Sequence, residues 1–302
     1  MKNLIVVVGP TAIGKTAMAI QLAQEFKTEI ISADSRQFFK EMSIGTAKPA
    51  PEELAAAPHH FIDSHSIETF FSTGDFELEA LSKIEELFKK HDQLIMVGGS
   101  GLYVNAVCNG LDDLPETDLD IRAALKQQFE TEGIESIKRQ LAEADPEYYA
   151  RVDQANPQRM IRGLEFYLSI GEKLSSYQTQ SKKQRPFNII KIGLNTAREA
   201  LYARINHRVD LMMQAGLLEE VRSLLPQRHL NALNTVGYSE LFDYLDGNIS
   251  LEEAVSAIKQ NTRRFAKRQL TWFRKDADTV WFEPNDSAGI LSFLATQLKP
   301  VQ

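Results

Sequence analysis

Residues 9–16 read Gly9-Pro10-Thr11-Ala12-Ile13-Gly14-Lys15-Thr16, a full match to the phosphate-cradling pattern GxxxxGK(S/T). They stand between the apolar run Leu4–Val8 and a stretch of helical periodicity. A strand, a glycine-rich turn and a helix in that order aim backbone N–H groups at an anion held on the helix N-terminus. Lys15 supplies a cation for the terminal phosphate oxygens, and the Thr16 hydroxyl is a candidate Mg²⁺ ligand. The whole loop from Gly9 to Thr16 is therefore the candidate diphosphate-binding site. The motif leaves open which diphosphate it takes and whether phosphorus or carbon is attacked.

The runs Leu4–Val8, Glu29–Ala33 and Leu94–Val97 read as buried parallel strands joined by α/β crossovers. Ser72-Thr73-Gly74-Asp75 has the form of a capping box, and Phe76, Leu78, Leu81, Ile84, Leu87 and Phe88 follow with helical recurrence. From Asp112 to about Arg185 no strand-like run occurs; Ile121–Glu130, Ile134–Glu143 and Pro157–Ile170 read as helices. The α/β texture returns with a strand at Asn188–Leu194, Thr196 and Glu199 as a capping pair, and a last strand at Thr279–Phe282. Ser250 and Glu253 open a helix predicted to run to about Lys275. The expected fold class is α/β: a P-loop-type parallel sheet core flanked by helices, with an inserted all-helical module. The core is discontinuous, 1–112 and 186–302, and the insertion spans 113–185.

With 302 residues, of which 43% are hydrophobic, the chain can bury a full core. Its only cysteine is Cys108, so an intrachain disulfide is excluded. Six histidines include one adjacent pair, His59-His60, with no carboxylate at metal-site spacing, so no zinc site is expected. The apolar run before Gly9 is far too short to span a membrane, and a cytoplasmic monomer is expected.

The net charge of −7 argues on average against nucleic acid. Locally the balance reverses. Residues 259–275 contain Lys259, Arg263, Arg264, Lys267, Arg268, Arg274 and Lys275 and no acidic residue. On a helix these cations form a stripe suited to an RNA backbone or a diphosphate, with Phe265, Leu270, Trp272 and Phe273 expected to supply the buried side. Further cations lie at Lys182, Lys183, Arg185, Arg198 and Arg204.

Ligands of open parallel sheets sit beyond the carboxyl ends of the strands, where Glu29–Ala33 delivers Asp34, Ser35, Arg36 and Gln37. Asp34 could take a proton from a nucleophile or hold Mg²⁺ through water; the plain alternative is a turn aspartate bonding its own backbone. Gly98-Gly99-Ser100-Gly101-Leu102-Tyr103 makes a second glycine-rich edge on the same side.

Taken in order, the blocks GPTAIGKT, ADSRQFFKEMSIGTAKP from Ala33, GGSGLY from Gly98, NPQRMIRGLE from Asn156, TVGY from Thr235 and TRRFAKRQLTWFR from Thr262 span nearly the whole chain. In these blocks the chain resembles the tRNA dimethylallyltransferase (IPP transferase) family in its bacterial form. The departures are Ser100 where Thr is usual and Phe38-Phe39-Lys40 in place of an aliphatic-Tyr-Arg run. The resemblance implies transfer of a dimethylallyl group from dimethylallyl diphosphate to N6 of the adenosine 3′-adjacent to the tRNA anticodon, with Mg²⁺ as cofactor. It implies catalytic roles for Asp34, Lys15 and Thr16 and makes Arg208 a candidate further diphosphate ligand. Its tRNA-contacting segments fall on Asp34, Ser35, Arg36 and Gln37 and on Gln158, Arg159, Met160, Ile161 and Arg162, with Ser100 and Arg122 as further contacts. The expected partner is the anticodon stem-loop. Three other readings explain part of the pattern: a P-loop kinase of small metabolites using ATP, an RNA-binding NTPase, and an adenylate isopentenyltransferase acting on free nucleotide.

Overall fold

The computed structural model describes residues 2–179 and 181–298. Met1, Gln180 and residues 299–302, which the expected domain ranges include, lie outside the described residues. Two compact units emerge, Met1–Cys108 with Gln184–Gln302, and Asn109–Lys183.

The first unit is built on six strands: β1 (Asn3–Val8), β2 (Ile30–Ser32), β3 (His59–His60), β4 (Gln93–Gly98), β5 (Asn188–Leu194) and β6 (Thr279–Phe282). They form one parallel sheet in the order β3-β2-β4-β1-β5-β6. Each face of the sheet is covered, which is why the strands read as unbroken apolar runs. Leu4, Val6 and Val8 of β1 pack with Phe76, Ile84 and Val107 on one side, while Ile5 and Val7 pack with Met18, Leu22, Leu201 and Ile205 on the other. The register places Val8 opposite Gly98 and Gly193, and Ser32 opposite Val97. The carboxyl ends of the central strands therefore finish level, and the segments that follow them meet at one edge.

Two caps behave as their spacing predicts. Ser72 Oγ accepts from Asp75 N at 3.2 Å, and Ser250 Oγ accepts from Glu253 N, also at 3.2 Å. They open the helices Thr73–Phe88 and Leu251–Phe273. Thr196 does not cap: the helix Arg198–Gln214 begins after Ala197, whose methyl group accepts no hydrogen bond. Strand β3 was not anticipated, because a two-residue edge strand of half-buried histidines carries no apolar run. No helix among the described residues is long and apolar enough to cross a membrane.

The second unit is helical, with Leu119–Glu132, Ile134–Ala144, Pro146–Arg151, Pro157–Ile170 and Leu174–Tyr177 around Leu125, Ile137, Leu141, Leu164 and Phe166. Asp145, fully buried, accepts from Tyr148 N, Ser175 N and the Ser175 hydroxyl at 2.7–3.0 Å. These bonds hold its carboxyl below the usual carboxylate range although burial pushes the other way.

Candidate active site

The phosphate loop leaves β1 and turns through left-handed backbone at Ala12 (φ 64°) and Gly14 (φ 105°), so that the helix Lys15–Glu25 starts directly behind it. Gly14 has no Cβ, and the Arg204 guanidinium lies 3.3 Å from where one would stand. Pro10 contributes its carbonyl, which accepts from Lys15 Nζ at 2.9 Å. Burial pulls the Lys15 ammonium down to about 8, against the attraction of Asp34. Arg208 donates to the Thr11 hydroxyl. Its own Nε–H is buried without a partner, and burial lowers its guanidinium to about 10. Ile13 is fully buried in the core and offers the site only backbone.

Lys15, Thr16, Asp34, Arg204 and Arg208 line one cavity of about 230 Å³. Three cations there face one carboxylate, an excess of positive charge that favours an anion. Asp34 lies as the strand order predicts, and it satisfies the plain reading as well: its Oδ1 accepts from Arg36 N at 3.0 Å. Thr46 and Ala47 also line the cavity, and Gln37 Nε2 donates to both of their carbonyls at 3.2 and 3.0 Å. Ser35 and Ser100 join their two loops, Ser35 N donating to Ser100 Oγ at 2.9 Å. Arg36 donates to Ser35 O, and burial lowers its guanidinium from the ordinary arginine range.

Residues that sequence reasoning passed over complete the site. Gln269, nearly buried, accepts from Thr11 N and donates to Gly99 O, both at 2.8 Å, so one amide ties the phosphate loop to the second glycine-rich turn. The aromatic pattern around it pointed elsewhere. The buried face of Leu251–Phe273 is Ala254, Ile258, Thr262, Ala266, Gln269 and Phe273, whereas Phe265 and Trp272 are 38% and 41% exposed. Arg204 was visible as the residue one turn before Arg208 on the same helix face.

The outer side of that helix opens a groove of about 400 Å³ lined by Arg264, Lys267, Arg268, Thr271, Trp272 and Lys275. Two other cations of the stripe are committed inward: Lys259 pairs with Asp210 at 2.5 Å and Arg263 bonds Asn206 at 2.7 Å.

In the helical unit, the candidate contact residues divide. Gln158 and Arg159 are exposed on the first turn of Pro157–Ile170. Within the segment 158–162, Met160 and Ile161 fall at helical spacing on the apolar face, and their side chains pack in the core of this unit. Arg122 and Arg162 both meet Glu165. Arg122 grips the buried Glu165 through Nε and Nη2 at 3.0 and 2.9 Å. Arg162 Nη1 donates to the Thr117 hydroxyl and to Glu165 at 2.7 and 3.2 Å. A carboxylate 1% exposed requires such partners, so both arginines hold Glu165 in place, while their side chains stay 29% and 35% exposed and open to a further contact.

Among the described residues no group of three or more His, Cys, Asp and Glu is placed to hold a metal. The Thr16 hydroxyl and the Asp34 carboxylate share the cavity, a sparse oxygen set of the kind that binds Mg²⁺ when substrate phosphates complete the shell.

Sheet, loop and cavity define a P-loop-type α/β protein with an anion-favouring cavity beside the loop. The chain belongs to the IPP transferase family, whose model matches residues 37–276. It is 55% identical to the tRNA dimethylallyltransferase of Christiangramia forsetii, covering 98% of each chain. It is 51% identical to that of Cytophaga hutchinsonii, covering 99% of this chain and 98% of the relative. Among solved structures, the tRNA isopentenylpyrophosphate transferase of Bacillus halodurans superposes with a TM-score of 0.73 at 38% identity, covering 99% of this chain and 97% of that one. A eukaryotic dimethylallyltransferase acting on tRNA superposes with a TM-score of 0.82 at 25% identity, covering 100% and 81%.

Proposed function

We propose that this protein transfers the dimethylallyl group of dimethylallyl diphosphate to N6 of the adenosine next 3′ to the tRNA anticodon, releasing diphosphate. The observation that carries the reading is the placement of Lys15, Arg204 and Arg208 around a single carboxylate, Asp34, in one cavity. An exocyclic amine is a poor nucleophile, so the reaction depends on making the allylic carbon electrophilic. The C–O bond to diphosphate breaks, the N6–C bond forms, and the N6 proton passes to Asp34. Lys15, Arg208 and the loop N–H groups stabilise the charge that grows on the leaving oxygen. Mg²⁺, held by Thr16 and the phosphate oxygens, would supply further neutralisation. Arg208 is suited to this work because its Nε–H lacks a partner in the free protein. Water would capture the allylic centre, and a flipped adenine entering against the diphosphate excludes it.

The anticodon stem-loop is the proposed partner, with Trp272 and its surrounding cations as a surface for an unstacked base and its phosphates. Asp34–Gln37, Ser100, Arg122 and the segment Gln158–Arg162 are the further contacts proposed. The protein is proposed to act as a monomer in the cytoplasm. Affinity for the stem-loop is expected to fall steeply with salt, and Lys267→Ala or Arg264→Ala should each flatten the log–log slope by about 0.7–0.9. Arg122→Ala is expected to lower stability as well, since Glu165 then loses one of its two arginines. A salt-insensitive affinity would mean that the groove is only a solvated face.

The direct test is to incubate the purified protein with Mg²⁺, labelled dimethylallyl diphosphate and unmodified tRNA, then to digest the RNA. Label in N6-dimethylallyladenosine beside the anticodon is the expected result. Label on free adenylate in preference to tRNA, or ATP turnover without the prenyl donor, would replace this reading with one of its competitors.

A further inference from the structure

The segment Ser43–Lys48 supplies Thr46 and Ala47 as one wall of the cavity. Three successive backbone N–H groups of this segment point at one side chain. Glu220, on the helix Leu217–Ser223, accepts from Ser43 N and Ile44 N through Oε2 at 3.1 and 2.7 Å. Its Oε1 accepts from Gly45 N at 3.0 Å and from the Tyr238 hydroxyl at 2.6 Å. Successive N–H groups form a nest that a carboxylate fills and a neutral amide does not, because an amide puts a second set of donors against donors. Tyr238, fully buried, closes the nest, and a Cβ on Gly45 would stand 2.5–2.8 Å from its ring. Burial and the Glu220 charge both keep that hydroxyl protonated, so it remains a donor.

The far side of the segment is tied to the acceptor side of the site. Gln37, three residues after Asp34, holds the carbonyls of Thr46 and Ala47, and the Thr46 hydroxyl donates to Met42 O and Ser43 O at 2.9 and 3.1 Å. Ala47 is kept at φ 50°, a left-handed conformation that a non-glycine residue adopts only under such restraint. The chain of contacts runs from Tyr238 and Glu220 through the backbone of 43–45 to the cavity wall, and thence through Gln37 to the Asp34 loop. None of it passes through Lys15, Thr16 or Arg208.

We propose that Glu220, with Tyr238 as its support, is a positioning residue: it fixes the wall against which the reacting groups are aligned with Asp34, without contributing to diphosphate binding. The kinetic part of this proposal rests on the prenyl-transfer reading; the structural part does not.

Glu220→Gln is expected to lower kcat on tRNA about tenfold or more, the scale of a misalignment of about an ångström or less, while KM for dimethylallyl diphosphate stays within about twofold. Tyr238→Phe keeps the ring against Gly45 and removes only the hydroxyl, so a smaller loss of about threefold is expected, and the double variant should be little worse than Glu220→Gln alone. Amide hydrogen exchange adds a readout independent of activity. Residues 43–47 should exchange faster in Glu220→Gln and residues 9–16 should not. If Glu220→Gln does not fold, Tyr238→Phe carries the same kcat-against-KM comparison and the same exchange measurement. An unchanged kcat in a folded variant, equal losses in kcat and donor KM, or faster exchange spread to the phosphate loop would overturn the proposal. Faster exchange confined to 43–47 in a protein that modifies no tRNA would instead leave the wall-fixing role intact and refute the prenyl-transfer reading.

Discussion

Asp34→Asn is expected to lower turnover on tRNA by about 10²- to 10⁴-fold, the range for removal of a positioned general base. The substitution is close to isosteric, and the Asn carbonyl can still accept from Arg36 N, so the turn after β2 is preserved. Much of the donor binding should persist, because the phosphate loop and the cations of the cavity are untouched. Lys15 should then titrate lower still, having lost the charge that holds its proton against burial. Single-turnover rates with saturating donor, set beside donor affinity from calorimetry, separate these effects. Near-normal single turnover in the folded variant would remove Asp34 from the mechanism.

Lys15→Ala should cost about 10²- to 10³-fold in kcat/KM for dimethylallyl diphosphate, the scale for loss of one preorganised charge partner on a leaving oxygen. A pH profile distinguishes this role from a structural one. Only the protonated amine pairs with phosphate, and burial brings the free-protein Lys15 down to about 8. In the wild type, kcat/KM for the donor should therefore hold below that pH and fall about tenfold per unit above it. The diphosphate stabilises the ammonium, so kcat at saturating donor should break at a higher pH. In Lys15→Ala the limb near pH 8 should vanish. A variant that still uses dimethylallyl diphosphate normally but fails with ATP would favour the kinase reading.

Where a side chain's surroundings are set by its near neighbours in sequence, the reading from sequence held. Leu4–Val8 is apolar throughout because β1 is buried on both faces, and Ser72 and Ser250 cap helices through bonds only three residues long. The phosphate loop is another local object, since its turn, its lysine and its helix are contiguous. Asp34 became readable through one further rule, that ligands gather at the carboxyl ends of parallel strands. Where local rules gave no signal, or a misleading one, the reading failed. Two half-buried histidines carry no strand pattern, and the aromatics of Leu251–Phe273 suggested a buried side that is half solvent-exposed in the folded protein. Nor was there any sign in the sequence of the buried carboxylate that Arg122 and Arg162 both bind, because Glu165 is a residue type that composition assigns to the surface.

The order of strand, loop and helix, the basic stripe and the helical insertion are thus properties of the chain read end to end, because each follows from contiguous residues and their periodicity. Which cations line the cavity, which are consumed by the protein's own carboxylates, and what shapes the cavity follow from pairings distant in sequence. Gln269 reaches Thr11 across 258 positions, and Glu220 reaches Gly45 across 175. No spacing rule connects such pairs; they exist only because the parallel sheet brings its carboxyl ends level and the helices Arg198–Gln214 and Leu251–Phe273 pack beside each other.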